Sequence, residues 1–188
     1  MKRYIIMADG TMNRWKNQDV PKHLLTVRGE SLLSRTVRLF RAADPEAEIL
    51  ITSHNPAYDV PGAVRYEPQH NVSEIDRFTW ELIDDQVCFL YGDVYYSEEA
   101  ARRIAALPVR TLGFAGSDRE IFAVKVGDGA YMRRCIRQLK ERQPDSKGWH
   151  LYRMAADEAP YCRIDDDTTG FNTEEDYRAF SARLKETR

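Results

Sequence analysis

Short apolar runs rich in β-branched and aromatic residues alternate along the chain with stretches whose apolar residues recur every three or four positions. The short runs predict β-strands at 4–7, 48–52, 87–91 and 121–126. The longer period predicts helices at 31–43, 98–107 and 130–142. A last helix is predicted after Asn172, which can cap it while Glu175 returns the bond. This alternation indicates an α/β fold.

Composition narrows the class of protein. The chain has 188 residues, 43% of them hydrophobic, which is enough for the core of a single domain spanning 1–188. Its 28 basic and 30 acidic residues give a net charge of −2, so no overall field favours nucleic acid or an anionic membrane as partner. The 3 cysteines are far apart and lack the spacing of a zinc site. Since no apolar run approaches the roughly 20 residues of a membrane span, and no signal peptide is evident, we expect a cytoplasmic protein.

The first predicted strand runs directly into a polar loop that carries two spaced cations. The segment reads Tyr4-Ile5-Ile6-Met7-Ala8-Asp9-Gly10-Thr11-Met12-Asn13-Arg14, and Pro21-Lys22 follows it. A sheet that ends in such a loop can deliver the positive charges of Arg14 and Lys22 to a triphosphate. Taken singly, each of the two is explained equally well as an ordinary exposed cation.

Asp93 follows the predicted strand at 87–91, in the sequence Tyr91-Gly92-Asp93-Val94. Ligands of open α/β sheets bind beyond the carboxyl ends of the strands, so an acid at this position is a candidate metal ligand. The alternative is an Asx turn or a helix cap.

Three adjacent carboxylates, Asp165-Asp166-Asp167, lie near the end of the chain. They repel one another unless they are solvated or neutralised, and a hard divalent cation with oxygen ligands would neutralise them. Asp165 and Asp167 would share a face on an extended backbone. The alternative is a solvated acidic turn.

Together these segments resemble the small nucleotidyltransferase family, which includes MobA-like enzymes and sugar-phosphate or phosphocholine cytidylyltransferases. Gly10, Arg14 and Pro21-Lys22 match the loop of that family, whereas Asp9 stands where the family usually has alanine and Met12 where it has a second glycine. Gly92-Asp93-Val94 resembles the family's magnesium site. The segment 163–177 resembles its closing acidic segment, with Gly170 where relatives often have another acid.

The resemblance implies a Rossmann-like three-layer sandwich with a mixed, mostly parallel sheet. It also implies Mg²⁺-dependent transfer of a nucleoside monophosphate from a triphosphate, CTP modestly preferred, to a small phosphorylated acceptor, with release of pyrophosphate. The implied catalytic residues are Arg14, Lys22 and Asp93, and the implied metal ligands are Asp93, Asp165 and Asp167. The implied nucleotide contacts are Ala8, Asp9, Gly10, Arg14, Lys22, Asn71 and Ser73, although helix capping alone would explain the last two.

The acceptor is a sugar phosphate, a polyol phosphate or phosphocholine in this interpretation. The segment 147–153 mixes aromatic and cationic residues, and Trp149 and Tyr152 with Tyr95 are candidates for binding a quaternary amine such as choline by cation–π contact. The alternative is that 147–153 forms a core strand with an exposed arginine.

Three other functions stay open at this point. A GTP-using, MobA-like guanylyltransferase would share the same motifs. A glycosyltransferase would use Asp165-Asp166-Asp167 as an Asp-x-Asp metal motif on a related sheet fold. A non-catalytic nucleotide-binding protein would account for Asp9 and Met12 in the phosphate loop.

Overall fold

A mixed seven-stranded sheet forms the centre of the protein in the computed structural model, which describes residues 2–10 and 20–186. The sheet strands are β1 (Arg3–Met7), β4 (Glu48–Thr52), β5 (Val64–Tyr66), β6 (Val87–Tyr91), β8 (Leu112–Gly116), β9 (Ile121–Val126) and β10 (Tyr161–Arg163). Two short pairs lie outside the sheet: β2 (Thr26–Val27) with β3 (Glu30–Ser31), and β7 (Val94–Tyr95) with β11 (Thr169–Gly170).

The strand order is β10-β8-β9-β6-β1-β4-β5. Strand β1 is parallel to both of its neighbours, β4 and β6, and only β9 runs antiparallel to the strands beside it. The carboxyl ends of β1, β4, β6, β8 and β10 therefore lie at one edge of the sheet. The mixed, mostly parallel sheet predicted from the sequence is confirmed.

Five α-helices accompany the sheet within residues 2–10 and 20–186, and the starts of three of them follow from local capping. They are α1 (Leu32–Ala43), α2 (Glu98–Ala106), α3 (Gly129–Arg142), α4 (Gly148–Ala155) and α5 (Glu174–Glu186). The side chains of Ser31, Ser97 and Asp128 accept backbone N–H groups of the first turns of α1, α2 and α3. Each cap satisfies a donor that has no partner within the helix.

Alternation along β1 divides the core into two layers. Tyr4 and Ile6 belong to a buried cluster that includes residues of α1 and α2. Ile5 and Met7 belong to a second cluster that includes residues of α3 and α4. Because successive side chains of a strand point to opposite faces, helices cover both faces of the sheet. The predicted three-layer arrangement is confirmed.

The last helix lies outside these two layers. Phe180 and Leu184 of α5 pack in a third cluster with Leu25, Leu32 and Tyr95. No helix among the residues described is long and apolar enough to cross a membrane.

Two features differ from the sequence predictions. The segment 147–153 is part of helix α4, so its interpretation as a core strand is wrong; Gly148, Leu151 and Ala155 are buried at helical spacing. The cap of α5 lies one residue later than predicted. Thr173 N donates to Asp176 Oδ2 at 2.8 Å, and Asp176 N donates to Thr173 Oγ1 at 3.2 Å. The sequence had predicted Asn172 and Glu175 for these two roles.

Candidate active site

A cleft of about 1050 Å³ lies at the sheet edge where the parallel strands end. Asp93 enters it from the turn after β6, and Ser117 to Glu120 enter it from the turn between β8 and β9. The start of α4 and the end of β10 complete the wall. The volume is at the upper end of the range for small-molecule sites.

Lys22 and Asp93 form an ion pair in this cleft, in which Lys22 Nζ donates to Asp93 Oδ2. Their side chains are only 13% and 20% exposed. Burial works to raise the pKa of Asp93, but the positive charge of Lys22, the electrostatic effect of the neighbouring His23 ring and the hydrogen bond from Lys22 outweigh it and hold the pKa below its usual value. Asp93 is therefore a carboxylate, and the structure brings together the two catalytic residues predicted in the described part of the chain.

The turn that carries Lys22 is fixed from beneath by His23. His23 is buried, its Nδ1 lies 3.0 Å from the hydroxyl of Tyr58, and its ring packs against Gly92. A Cβ at position 92 would lie 2.7 Å from the carbonyl oxygen of Met7 and 3.0 Å from the His23 ring. Only glycine lets the turn of Asp93 approach the end of β1 this closely.

Glu120 is a second carboxylate in the cleft that the sequence interpretation missed. Its Oε1 accepts from Asn172 Nδ2 at 2.6 Å, and its Oε2 accepts from Gly170 N at 3.2 Å. Gly170 pairs with Val94, so this contact places Glu120 beside the turn of Asp93. Burial raises the pKa of Glu120, and the negative charge of Asp93 adds to the effect. The related signal in the sequence is that Gly170 stands where relatives often have an acid. That signal does not indicate which other residue of the chain supplies the carboxylate.

Asp165 and Asp167 do not line the cleft and are exposed. Asp165 accepts from Arg163 Nε at 2.8 Å, and Asp167 accepts from Arg183 at 2.9 Å. Asp166, between them, accepts from Ser97 Oγ at 2.6 Å. The described residues contain no group of three or more acidic, histidine or cysteine side chains suited to a metal ion. Asp93 and Glu120 both line the cleft, whereas the proposed Asp-x-Asp motif lies outside it.

Asp9 organises the carboxyl ends of β1 and β4. Its carboxylate accepts from the backbone N of His54 at 3.0 Å, from His54 Nδ1 at 2.8 Å and from Asn71 Nδ2 at 2.7 Å. Burial works to raise the pKa of Asp9, but these hydrogen bonds outweigh it and lower the pKa. Ala8 and Gly10 flank Asp9 in the sequence, and Arg14 and Met12 lie outside the described residues.

The two residues predicted at 71 and 73 have different roles. Asn71 Nδ2 also donates to the backbone O of Asp9 at 2.6 Å, so both of its hydrogens are used. Ser73 caps the 3₁₀ helix Glu74–Phe78, with its backbone N and its hydroxyl each 2.8 Å from Asp76 Oδ2. Capping therefore explains Ser73, whereas Asn71 is tied to the loop after β1.

The candidate acceptor residues are separated by the fold. Trp149 and Tyr152 line the cleft together with Tyr161. Tyr95 is buried in the cluster around α5, with the Arg35 guanidinium 4.3 Å from its ring centroid, so its assignment to the acceptor site is wrong. The Arg153 guanidinium lies 4.5 Å from the centroid of the Trp149 ring. Tyr95, Trp149 and Tyr152 therefore do not form an aromatic cage for a quaternary amine.

Arg77 is a further cleft residue that the sequence interpretation missed. It follows Asp76 in the 3₁₀ helix Glu74–Phe78 and lines the cleft with Lys22 and Asp93. No motif in the sequence marks it, because its placement depends on how this short helix packs on the loop after β1.

Comparison with known proteins gives a match in structure alone. No protein-family model matches the sequence, and no curated protein matches it. A CMP:2-keto-3-deoxy-manno-octonic acid synthetase solved with CTP has a TM-score of 0.67 and 14% identity, over 100% of both chains.

Two further solved structures cover nearly the full length. The 4-diphosphocytidyl-2C-methyl-D-erythritol synthase of Anaerococcus prevotii has a TM-score of 0.66 and 15% identity, over 97% of this chain and 95% of its own. The inositol-1-phosphate CTP transferase of T. maritima has a TM-score of 0.59 and 12% identity, over 99% of this chain and 97% of its own. The fold implied by the resemblance is confirmed: this chain has the α/β fold of these cytidylyl-transferring enzymes.

Proposed function

We propose that this chain is a nucleotidyltransferase that transfers a nucleoside monophosphate from CTP to a small phosphorylated acceptor and releases pyrophosphate. The observation that carries the proposal is the Lys22–Asp93 ion pair, with Glu120 beside it, at the sheet edge where ligands of α/β folds bind. The shared fold supports it, since the names of the three solved structures described above refer to CTP or to a cytidyl product.

The chemistry joins two anions. A phosphate monoester oxygen of the acceptor attacks the α-phosphorus of the triphosphate, the new O–P bond forms, and the bond to the β-phosphate breaks as pyrophosphate leaves with its electron pair. The attacking oxygen is already anionic, so no strong general base is needed. The protein must instead align the reactants and offset their repulsion.

The donor set of the cleft fits a magnesium ion. Asp93 and Glu120 offer hard carboxylate oxygens from two different turns, and Mg²⁺ is commonly held by one or two carboxylates together with substrate phosphates. These two residues would hold the ion, which when bound supplies positive charge between acceptor and α-phosphate. In this proposal Glu120 takes the role that the sequence analysis gave to Asp165 and Asp167.

Lys22 contributes the positive charge of the protein itself. Its ammonium lies against Asp93, at the point where the two substrates would meet, and is 13% exposed. A cation in this position offsets the charge that develops on the leaving pyrophosphate. Trp149, Tyr152 and Tyr161 at the far end of the cleft leave room for the acceptor on that side.

In this proposal Asn71, which is tied to the loop after β1, favours CTP over UTP. Both hydrogens of Asn71 Nδ2 are donated to Asp9, whose ionised carboxylate can only accept, so the orientation of the amide is fixed. Asn71 Oδ1 is then left as a hydrogen-bond acceptor, which suits the amino group of cytosine and repels the carbonyl oxygen of uracil.

Pyrophosphate release tests the proposal, with CTP, UTP, GTP and ATP each offered with Mg²⁺ and a panel of sugar and polyol phosphates. We expect turnover with CTP and a loss of about a hundredfold or more in Asp93→Asn and Lys22→Met. Asp165→Asn is the matched control, because Asp165 is an exposed aspartate outside the cleft and should leave the rate unchanged.

The other outcomes identify the alternatives. Turnover with GTP in place of CTP would indicate a guanylyltransferase. Hydrolysis of nucleotide-sugars without pyrophosphate release from any triphosphate would indicate a glycosyltransferase. Binding of a triphosphate without turnover on any acceptor would indicate a non-catalytic nucleotide-binding protein.

A further inference from the structure

We infer that Arg77 binds the phosphates of the nucleotide and supplies the anion contact that the altered loop after β1 lacks at Met12. The inference rests on the proposed function, because it names a substrate-binding residue of the same cleft. Arg77 belongs neither to the loop after β1, nor to the Lys22–Asp93 ion pair, nor to the acidic segment 163–177.

The guanidinium of Arg77 lies directly on the loop after β1. A Cβ at position 10 would lie 2.9 Å from Arg77 Cζ and 3.1 Å from its nearest terminal nitrogen, so the guanidinium would have to move away from a side chain at this position. Gly10 therefore leaves the space that the guanidinium fills. In a glycine-rich phosphate loop, backbone N–H groups approach the anion closely. Here a side chain with five donors occupies the surface of the same loop.

Among the cleft cations of the described residues, Arg77 and Arg119 have no carboxylate partner, and of these two Arg77 is partly buried whereas Arg119 is exposed. Lys22 is bound to Asp93, Lys147 lies 3.8 Å from Glu74, and Arg163 is paired with acidic side chains at 2.8 Å. Within residues 2–10 and 20–186, no carboxylate pairs with Arg77. A partly buried guanidinium that faces a cleft without a counter-ion is a strong site for phosphate, which it can bind through two parallel N–H···O bonds.

The backbone that carries Arg77 is held rigidly. Asp76 accepts from the backbone N of the capping residue Ser73 at 2.8 Å and from Lys140 of α3 at 2.6 Å. The next residues are anchored as well: Phe78 is buried, and Thr79 is fully buried with a φ of 40°. A β-branched residue in the left-handed region is strained, and such strain persists where the surrounding packing dictates the conformation. The position of the Arg77 backbone relative to the cleft is thus set before any ligand binds.

The test compares equilibrium binding of CTP and cytidine, the latter by competition, in wild type, Arg77→Gln and the control Arg110→Gln. Arg110 is exposed and lies outside the cleft. We expect Arg77→Gln to weaken CTP binding about ten- to a hundredfold, the range of charge-assisted hydrogen bonds, and to leave cytidine binding unchanged. Arg110→Gln should bind CTP as wild type does, and Arg77→Lys should recover part of the loss because it keeps the charge.

Gly10→Ala gives an independent test, since the added methyl displaces the guanidinium without removing it. It should weaken CTP binding in the same direction as Arg77→Gln, and the two changes combined should cost little more than Arg77→Gln alone. Unchanged CTP affinity in Arg77→Gln, or an equal loss of affinity for CTP and cytidine, would overturn the inference about Arg77. The proposed function would still hold in either case if the wild type released pyrophosphate. A wild-type protein that binds no nucleotide would overturn both.

Discussion

Acid should destabilise this protein well before its carboxylates are protonated, because of His23. The imidazole is 3% exposed, beneath the turn that carries Lys22, with Nδ1 against Tyr58. Burial lowers the pKa of His23 to about 4, and the neighbouring charges act in both directions: Lys22 and Arg77 lower the pKa further, while Asp93 and Asp9 raise it.

The size and sign of the effect follow from proton linkage. The folded pKa of His23 is about 4, below the ordinary value of about 6.5 that applies to the unfolded chain, so the unfolded state binds more protons between these two values. The free energy of unfolding should therefore fall as the pH drops from about 6.5 to about 4. At about 1.4 kcal/mol per pH unit, the loss is about 3 kcal/mol at the acid end of this window.

Urea unfolding at pH 7.5, 6.0, 5.0 and 4.5 measures this loss, with His23→Gln as the comparison because glutamine is neutral and can still bond to Tyr58. We expect the unfolding free energy of the wild type to fall by about 2 to 3 kcal/mol more than that of the variant over this range. The raised pKa of Glu120 works in the opposite direction, but it is common to both proteins and cancels in the difference. Parallel curves for the two proteins would refute a neutral, buried His23.

Four further predictions follow from named contacts. Gly92→Ala should lower stability by about 2 kcal/mol or more and reduce the melting temperature, since its Cβ would meet a backbone carbonyl at 2.7 Å. Tyr96→Phe should cost about 1 to 2 kcal/mol in urea unfolding, because its buried hydroxyl donates to a backbone carbonyl at 2.6 Å. Asp9→Ala should reduce the ratio of CTP to UTP turnover, as it frees the amide of Asn71. Asp93→Asn should bind CTP more tightly without Mg²⁺ in a calorimetric titration, as it releases Lys22 from a competing carboxylate; weaker binding would contradict the resting ion pair.

The parts of the site that the sequence predicted are those fixed by the ends of strands. An apolar run followed by an acid places Asp93 at the carboxyl end of β6, whatever the rest of the chain does. Lys22 likewise follows β1 after a loop, and its meeting with Asp93 is a consequence of the parallel pairing of β1 and β6. Strand order and direction bring these two residues together. The pattern of short apolar runs predicts the strands themselves, and the family resemblance implied that most of them are parallel.

The parts that the sequence did not predict depend on packing between distant segments. Glu120 reaches the site only because the β8–β9 turn bends over Gly170, a contact 50 residues away in the chain. Asp165 and Asp167 follow β10 but turn outward, where arginines neutralise them. Strand β8 was missed since Gly113 and Gly116 dilute its apolar run; a Cβ at Gly116 would lie 2.1 Å from a backbone oxygen of the adjoining turn.

In the proposed function, the distribution of charge in the cleft explains how a site for two anions would stay folded without them. Bare cations in a partly buried cleft would repel one another, and a bare carboxylate there would pay the cost of desolvation. The chain pairs Lys22 with Asp93 and hydrogen-bonds Glu120 to Asn172, so that each proposed catalytic group already has a partner. A triphosphate would then compete with Asp93 for Lys22, whereas the guanidinium of Arg77, which pairs with no carboxylate of the described residues, would give it a first contact at no such cost. The proposal thus assigns affinity and catalytic charge to different side chains, which is why substitutions at Arg77 and Asp93 should have opposite effects on binding in the absence of magnesium.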